Sequence, residues 1–500
     1  MVHPNTYLNK VIIGFSDGRL QLWNFISGKM IYTFSCAAFP MKSLSCLAQS
    51  TVVDIIAAGY GDGGVVLLDA KQDVCLFKIQ VKTSVTSISF RSGEKAQMVV
   101  GCADGLLSVW DLENRSMILL VDAHEKAISR AEFLPGGVPI VITNSEDNSL
   151  KEWTLSSHEQ QEEIRLLRSR SGHSASPIIV RFWNETSILS GGLDGSLRVS
   201  SLIKDSQSHE LSQGSLESKA KKLQVRISEL RQPPITDLAM FKTKETGWAN
   251  LVTAHEASST AKTWRCENKC IGEHSLGPIG ALITAVATSP CGNFGLAGGQ
   301  DGMVHLFNLQ SGQKRKSFQI SSPVQGIAVD QFSNEVLIVG KDGSIDIFDY
   351  NRPSKSLYHQ KSDEFQVCSF DFKPESGLAA IGSSNGILKI FDLEARRIVR
   401  IMNNNDSPTD LCFSGDGKWL LVCSKEGKCI CTWDLPSGLL IDKFICHKKP
   451  SSISISPNGE FMVSCHEGDK ALHVWSNKAI IQPVTSSNGK GTQAAIVDEV

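Results

Sequence analysis

Residues Asp104-Gly105-Leu106-Leu107-Ser108-Val109-Trp110-Asp111 contain a tight turn followed directly by a short strand. An Asp-Gly pair supplies the positive φ angles that a two-residue hairpin turn requires. The residues after the turn alternate between two faces, which is typical of a half-buried strand. Related stretches end at Trp23-Asn24, Trp153-Thr154, Phe307-Asn308, Phe348-Asp349 and Phe391-Asp392. The sequence therefore predicts one short β unit repeated along the chain.

The spacing of this unit is nearly constant. Its bulky third-strand position falls at residues 23, 68, 110, 153, 200, 264, 307, 348, 391, 433 and 475, and nine of the ten intervals lie between 41 and 47 residues. A period of about 40–45 residues that ends in Trp-Asp is typical of WD-repeat propeller blades, each of which is a four-stranded antiparallel sheet. The predicted fold class is therefore all-β, with tandem WD-repeat β-propellers.

The positions of the copies predict the domain organisation. We expect residues 172–478 to form a second propeller that is a complete seven-bladed ring, and residues 1–165 to form an incomplete first propeller of about four blades. The join between them is expected near residues 155–172, where the stretch 156–163 is polar and is predicted to be strandless. Because the first copy begins at its second strand, the chain is expected to be part of a longer protein or a shortened form of one. Residues 479–500 lack periodicity and are expected to form a mobile tail.

Composition favours an ordinary globular protein. Hydrophobic residues make up 41% of the chain, charged residues 20%, and the formal net charge is −2. Such a charge gives no overall attraction to nucleic acid. The sequence has neither a long apolar run nor a signal-peptide pattern, so no contact with a membrane is predicted.

The 14 cysteines are interpreted as buried free thiols of a reducing compartment. Cys266 and Cys270 lack a second pair that would complete a zinc site, so no metal is predicted. We also expect no cofactor and no small-molecule substrate.

The one long interval, of 64 residues, contains an insertion at residues 203–234. After a polar opening that includes Lys204, this segment carries five more basic residues before Pro233-Pro234, namely Lys219, Lys221, Lys222, Arg226 and Arg231. One interpretation is a basic arm that contacts RNA phosphates or an acidic partner. The other is a solvated surface loop, and the sequence leaves both open.

Histidine, hydroxyl and aspartate residues recur together and imitate a hydrolase triad. In one copy they are His124, Thr143, Asp147 and Trp153, which we interpret as a buried structural tetrad that satisfies its own hydrogen bonds. The next copy has His173, Ser190 and Asp194, but Ser200 replaces the tryptophan. A triad also needs an accessible nucleophile and an oxyanion site, and nothing in the sequence marks either. No catalytic residue and no enzyme activity is therefore predicted.

Several stretches go beyond generic WD repeats. They are residues 3–10 followed by Leu20-Gln21-Leu22-Trp23-Asn24, the segment 433–442, Pro233-Pro234-Ile235-Thr236 and Arg396-Arg397-Ile398-Val399-Arg400. Together they resemble the WD-repeat subunit of the UtpB subcomplex of the small-subunit processome, which is the U3 small-nucleolar-RNA-associated protein 21 family (WD repeat-containing protein 36 in animals). The resemblance extends from about residue 3 to residue 478.

The resemblance implies two tandem seven-bladed propellers followed by a helical domain. It implies a non-enzymatic scaffold in the nucleus, within the nucleolus, that supports pre-rRNA processing and ribosome biogenesis. The implied partners are other WD-repeat proteins of the UtpB subcomplex, with U3 snoRNA and pre-rRNA in the same particle. Fourteen implied blades minus the eleven copies leaves three, in agreement with the start of the first copy at its second strand. Both the missing blades and the missing helical domain are departures from the family pattern.

The main alternative is a propeller substrate adaptor of a ubiquitin ligase. Many such adaptors carry Trp-Asp-x-Arg at the end of a blade. The corresponding residues here are Trp110-Asp111-Leu112-Glu113 and Trp433-Asp434-Leu435-Pro436, neither of which fits. A propeller hydrolase is the weakest alternative because no site for it is present.

Overall fold

The computed structural model describes residues 1–4, 7–35, 42–93, 95–158, 161–225, 227–241, 243–244, 246–354, 356–361 and 365–477. The chain divides into two compact units, Met1–Ser174 and Ala175–Val500. In both units, successive strands build antiparallel sheets, with one sheet for each copy of the repeat. The predicted all-β propeller class is confirmed. The expected tail, residues 479–500, lies outside the described residues.

The described residues of unit 1 form four sheets. Sheet 1 contains β1 (Lys10–Gly14), β2 (Leu20–Asn24) and β3 (Lys29–Thr33). Sheet 2 contains β4 (Leu44–Gln49), β5 (Ile55–Tyr60), β6 (Gly64–Asp69) and β7 (Val74–Gln80). Sheet 3 contains β8 (Val85–Phe90), β9 (Gln97–Cys102), β10 (Leu106–Asp111) and β11 (Ser116–Asp122). Sheet 4 contains β12 (Ile128–Phe133), β13 (Ile140–Ser145), β14 (Ser149–His158) and β15 (Gln161–Ser171).

Seven sheets follow in the described part of unit 2. Sheet 5 contains β16 (Pro177–Phe182), β17 (Ser187–Gly192), β18 (Leu197–Ser201) and β19 (His209–Glu210). Sheet 6 contains β20 (Ile235–Ala239), β21 (Leu251–His255), β22 (Ala261–Arg265) and β23 (Cys270–Leu276). Sheet 7 contains β24 (Ile283–Thr288), β25 (Phe294–Gly299), β26 (Met303–Asn308) and β27 (Lys314–Gln319). Sheet 8 contains β28 (Val324–Val329), β29 (Glu335–Gly340), β30 (Ile345–Asp349) and β31 (Ser356–Gln360).

Sheet 9 contains β32 (Val367–Lys373), β33 (Leu378–Ser383), β34 (Ile387–Asp392) and β35 (Arg397–Asn403). Sheet 10 contains β36 (Pro408–Phe413), β37 (Trp419–Ser424), β38 (Cys429–Asp434) and β39 (Leu440–Ile445). Sheet 11 contains β40 (Pro450–Ile455), β41 (Phe461–His466) and β42 (Leu472–Ser476). Between β18 and β20 lie a 3-10 helix (Asp205–Gln207), α1 (Leu216–Leu223) and α2 (Ile227–Leu230). No helix in the described part of the chain is long and apolar enough to cross a membrane.

Local sequence explains the shape of each sheet. Gly105 adopts φ +86, and a Cβ atom there would lie 2.1 Å from the carbonyl oxygen of His124, so this turn requires glycine. The register between the third and fourth strands shifts just before the bulky residue, as at Val109/Trp110 and Thr432/Trp433. Such β-bulges increase the local twist of a sheet.

The hydrophobic core lies between neighbouring sheets. Ile338 and Phe348 of sheet 8, for example, pack against Leu296 and Phe318 of sheet 7. In unit 2 this packing also joins the first sheet to the last, because Val180 of β16 lies in one cluster with Val463 of β41. Backbone N–H groups on β16 reinforce that contact: Val180 donates to Ser452 Oγ (3.2 Å) and Phe182 donates to Ser454 Oγ (3.0 Å).

The prediction of a strandless stretch at residues 156–163 is wrong for the six of these residues that the structure describes. This region belongs to β14 and β15, which pair along their whole length, with Trp153 opposite Leu166 and Leu155 opposite Ile164. Most described side chains of β15 are exposed. Because an outer strand has little burial on either face, its sequence lacks the alternation that revealed the other strands.

Candidate functional site

The insertion at residues 203–234 is attached to two neighbouring sheets. It contains β19, which is the fourth strand of sheet 5. The backbone N–H of Ser212 then donates to the carbonyl of Lys269 (2.8 Å), and the N–H of Ile271 donates to the carbonyl of Ser212 (2.7 Å). These bonds fix the insertion to the beginning of β23 in sheet 6.

Buried side chains hold the inserted segment in place. Leu211 is fully buried in the cluster between sheets 5 and 6. Gln213 Nε2 donates to the carbonyl of Gly195 (2.8 Å), and Gln213 Oε1 accepts the N–H of Gln232 (2.9 Å). Gln213 therefore connects Gln232, near the end of the insertion, to the turn of sheet 5, so the segment containing α1 is held at its base.

The five basic residues predicted to contact RNA or a partner do not form one group. Lys219, Lys221 and Lys222 are exposed on α1. Lys221 and Lys222 lie in its last turn, where positive charge interacts favourably with the helix dipole. Arg226 lies outside the described residues. The structure therefore places the three lysines on one short helix, where Lys219 and Lys222 are neighbours and Lys221 faces another side. We call these three residues the α1 lysine patch.

Arg231 lies in a separate, more buried group of charges. Here Arg198 Nη2 bonds to Glu210 Oε2 at 2.6 Å, and the Arg198 side chain is only 10% exposed. Burial and the nearby charge of Arg231 lower the pKa of Arg198, while Glu210 and Asp194 oppose that shift. Arg231 is itself half-buried. It therefore belongs to the packing of the insertion and lies apart from the α1 lysine patch.

The four tetrad residues of sheet 4 are in contact. His124 Nδ1 lies 3.2 Å from Asp147 Oδ2, and His124 Nε2 lies 2.8 Å from Thr143 Oγ1. Trp153 Nε1 donates to Thr143 Oγ1 at 2.9 Å. Ser149, which the sequence analysis did not include, contributes a hydroxyl 2.9 Å from His124 Nδ1. The tetrad thus links β13, β14 and the turn between them with a loop residue just before β12.

The electrostatics of this tetrad suit a structural role. Burial raises the pKa of Asp147, but hydrogen bonds from His124 and Ser149 outweigh that effect and hold the pKa well below its usual range. The carboxylate therefore stays ionised and keeps accepting these bonds. Thr143 is fully buried and the His124 side chain has no exposed surface, so no substrate reaches the hydroxyl.

Two further sheets contain a related arrangement that sequence analysis missed. In sheet 6, Trp264 Nε1 donates to Thr253 Oγ1 (2.8 Å), which lies 2.9 Å from His255 Nε2. The other ring nitrogen of His255 lies 2.7 Å from the carbonyl of Pro233. Here the histidine is on the second strand itself, and a backbone carbonyl replaces the aspartate.

Sheet 11 repeats this second arrangement. Trp475 Nε1 donates to Ser464 Oγ (2.9 Å), which lies 2.9 Å from His466 Nε2, while His466 Nδ1 lies 3.1 Å from the carbonyl of Lys448. Burial lowers the pKa of both His255 and His466. The signal in the sequence was a histidine two residues after a Thr or Ser on the second strand, at Thr253-Ala254-His255 and Ser464-Cys465-His466.

The first strands of the unit 2 sheets line a cavity of about 500 Å³. Three aspartates in its lining accept backbone N–H groups from the neighbouring sheet. Asp237 accepts from Val286 (2.8 Å), Asp371 accepts from Phe413 (2.9 Å), and Asp410 accepts from Ile453 (3.0 Å). Each carboxylate therefore connects two sheets. These three residues were not predicted from the sequence, although Thr236-Asp237 and Thr409-Asp410 recur at the same place in a first strand.

Burial changes the pKa values of ionisable groups in and near this lining. Burial raises the pKa of Asp371 to about 6, although the positive charge of Arg181 opposes the shift. Cys412 lies on β36 outside this lining, and burial raises the pKa of its thiol to about 12, which disfavours the nucleophilic thiolate. Among the described residues, no group of three or more His, Cys, Asp or Glu side chains is arranged to hold a metal ion.

Comparison with known proteins supports the resemblance seen in the sequence. The family model of the WDR36/Utp21 second beta-propeller domain matches residues 178–492, and that of the WDR36/Utp21 first beta-propeller matches residues 1–156. The U3 small nucleolar RNA-associated protein 21 homolog of Schizosaccharomyces pombe is 36% identical over 509 residues, which cover 100% of this chain and 55% of that protein.

Two other relatives give a similar picture. WD repeat-containing protein 36 of Homo sapiens is 33% identical over 502 residues, covering 97% of this chain and 55% of the relative. U3 small nucleolar RNA-associated protein 21 of Saccharomyces cerevisiae is 31% identical over 503 residues, covering 97% of this chain and 53% of the relative. The chain thus spans about half the length of these curated relatives. With both propeller models matched and this similarity along its length, the chain belongs to the WDR36/Utp21 family.

Proposed function

We propose that this chain is a non-enzymatic scaffold in ribosome biogenesis, where it supports pre-rRNA processing in the small-subunit processome together with U3 snoRNA. The observation that carries the proposal is its similarity, over at least 97% of its length, to proteins named for association with U3 small nucleolar RNA. The proposed location is the nucleolus, and the proposed partners are other WD-repeat proteins of the UtpB subcomplex.

The architecture supports a scaffold. Successive sheets are packed face to face through apolar clusters, and side-chain hydrogen bonds from Asp237, Asp371 and Asp410 add further connections. Such a body exposes loops and outer strands in fixed positions, as simultaneous binding of several partners requires. The hydroxyls that imitate a nucleophile are buried within tetrads. We therefore assign no chemical step to the chain.

Within this function, we propose the α1 lysine patch as the RNA-contacting surface. Its three ammonium groups are exposed on one short helix, and the helix is attached through Gln213 and Ser212 to two sheets. Ammonium groups held in this way bind phosphates without sequence preference. We do not include Arg231, because it packs against the base of the insertion.

The test is affinity purification of the tagged chain from nuclear extract, with and without RNase. Recovery of U3 RNA together with large WD-repeat proteins is the expected result, and partners that persist after RNase treatment are bound through protein contacts. Failure to recover either one, even when the chain is expressed within the full-length family protein, would contradict the proposal.

A further inference from the structure

The turn between β24 and β25 carries a cysteine where two related turns carry an oxygen acceptor. The three turns read Ser289-Pro290-Cys291-Gly292, Ser414-Gly415-Asp416-Gly417 and Ser456-Pro457-Asn458-Gly459. In each turn, the serine hydroxyl accepts the N–H of the first residue of the next strand, and the glycine N–H donates to the serine carbonyl. The three turns therefore share one framework, in which Cys291 corresponds to Asp416 and Asn458.

This framework directs two hydrogen-bond donors at the side chain two residues after the serine. Asp416 Oδ1 accepts from the Ser414 hydroxyl (2.6 Å) and from the N–H of Lys418 (3.1 Å). Asn458 Oδ1 accepts the same two types of bond. Burial raises the pKa of Asp416, but its hydrogen bonds outweigh that effect and lower the pKa. The turn is thus a site that stabilises negative charge.

In the turn between β24 and β25, the same donors meet a sulfur atom. Ser289 Oγ lies 3.2 Å from Cys291 Sγ, and the thiol is half-buried. Burial raises the pKa of Cys291, but hydrogen bonds from Ser289 and from the N–H of Asn293 outweigh that effect and lower the pKa. Burial raises the pKa of Cys46, which is also half-buried, to about 11. The framework therefore favours the thiolate, which is the nucleophilic form of cysteine, at Cys291.

A buried hydroxyl without a partner lies close to this sulfur. Tyr350 directly follows β30, and its ring lies 5.8 Å from that of Phe294 between centroids. The Tyr350 side chain is only 7% exposed, and its hydroxyl has no hydrogen-bond partner among the described residues. Burial raises the pKa of Tyr350 and the charge of Cys291 raises it further, so the hydroxyl and the sulfur are near enough to interact. Because an unpaired buried hydroxyl is unfavourable, this donor suits an acceptor atom added to the sulfur.

We propose that Cys291 is a site of reversible oxidation, at which a hydroperoxide converts the thiol to a sulfenic acid and the Tyr350 hydroxyl donates a hydrogen bond to the added oxygen. The inference concerns only sheets 7 and 8 of unit 2. It does not depend on the proposed role in ribosome biogenesis.

The reaction needs only the thiolate and the hydroperoxide. The sulfur attacks the terminal oxygen of the O–O bond, so an S–O bond forms while the O–O bond breaks. The transferred oxygen keeps its hydrogen, and the other oxygen leaves as alkoxide or hydroxide and takes a proton from water. The sulfur loses two electrons, which the hydroperoxide gains. A second thiol reverses the change by condensing with the sulfenic acid to a disulfide, with release of water, before further thiol reduces that disulfide.

The first experiment treats the full chain with hydrogen peroxide in the presence of dimedone, which traps sulfenic acids. Mass spectrometry then compares the label on each cysteine. Cys291 should carry about tenfold more label than Cys46, since Cys46 is also half-buried but lacks the two donors. Equal labelling of the two cysteines would overturn the proposal, and so would a Cys291 that stays unlabelled.

A second experiment tests the hydroxyl through Tyr350→Phe, which keeps the ring against Phe294 and removes a group that has no partner in the reduced chain. Alkylation of Cys291 by iodoacetamide should keep its wild-type rate. After peroxide is removed, however, the sulfenic acid at Cys291 should decay about fivefold faster, as expected for the loss of one hydrogen bond. Tyr358→Phe removes a hydroxyl of the same sheet that donates to Gln360, and it should leave the decay unchanged. Equal decay in wild type and Tyr350→Phe would contradict the role of Tyr350.

Discussion

Arg181 on β16 and Asp410 on β36 form a two-point ion pair although they are 229 residues apart in the sequence. The Nη1–Oδ2 distance is 2.8 Å and the Nη2–Oδ1 distance is 3.2 Å. Arg181 Nη1 also donates to Ser452 Oγ on β40 (3.0 Å). One guanidinium group therefore connects the first, sixth and seventh sheets of unit 2. Both side chains of the pair are mostly buried, with 25% and 12% exposure.

Removing one partner of this pair should destabilise unit 2. Asp410→Ala leaves the Arg181 charge without its carboxylate, which costs about 3–5 kcal/mol for a buried pair. The measurement is the free energy of unfolding in denaturant. Glu132→Ala, which breaks an exposed pair with Arg130, is the control and should cost less than about 1 kcal/mol. Equal losses in the two variants would mean that Arg181 does not join the sheets.

Asp371 should make the chain less stable as the pH rises from about 4 to about 6. Burial raises its folded-state pKa to about 6, whereas the usual pKa of an aspartate is 3.8. In this pH range Asp371 is ionised in the unfolded chain but still largely protonated in the folded chain, so a rise in pH favours unfolding. Asp371→Asn should increase the free energy of unfolding at pH 7 by about 2 kcal/mol and remove this pH dependence. The comparison of wild type and variant at pH 4.5 and pH 7 checks the prediction, and a variant that is destabilised at pH 7 contradicts it.

His466 should produce the opposite pH dependence. Burial lowers the folded-state pKa of His466 below 6.5, and the charges of His473 and Lys448 also lower it. The hydrogen bond to the Lys448 carbonyl acts in the opposite direction. Its contribution to stability is therefore present above pH 6.5 and is lost as the pH falls below that value. His466→Gln should weaken this acid-induced loss. Thermal unfolding of wild type and variant between pH 5 and pH 8 is the measurement, and parallel curves would rule out this role of His466.

The sequence predicted the repeat but missed the links between repeats. Period, turns and the bulky third-strand residue are local features, so the eleven sheets follow from reading one copy at a time. Arg181 and Asp410 are paired only because sheets 5, 10 and 11 are in contact, and no local sequence pattern predicts a contact between sheets so far apart in the chain. The strand at residues 161–171 was missed because most of its described side chains are exposed. In the candidate site, α1 grouped three of the five basic residues, whereas Arg231 is held by contacts that only packing creates.

Trp153 tests the tetrad of sheet 4. Trp153→Ala should destabilise its unit by about 3–5 kcal/mol, because it leaves a cavity and removes the indole bond to Thr143. Trp153→Phe keeps most of the ring and should cost only about 1–2 kcal/mol, chiefly through the lost N–H donor. Chemical denaturation of both variants separates the free-energy cost of the cavity from that of the lost indole hydrogen bond. A loss below about 1 kcal/mol for the alanine variant would show that sheet 4 is not packed around this residue.

The α1 lysine patch should contribute to RNA association without contributing to the fold. Lys219→Glu, Lys221→Glu and Lys222→Glu together replace three positive charges by three negative charges on an exposed surface. If each lysine contacts a phosphate, the slope of log K against log salt concentration for RNA binding decreases in magnitude by almost one unit for each lysine replaced. Recovery of U3 RNA should therefore decrease severalfold, while the melting temperature of the chain stays the same.

The matched control changes Lys341, Lys361 and Lys428 to Glu, since replacing these exposed lysines gives the same change of net charge elsewhere on unit 2. Equal RNA loss in both triple variants would indicate a general effect of charge, and unchanged recovery in the α1 variant would remove this helix from the RNA interface.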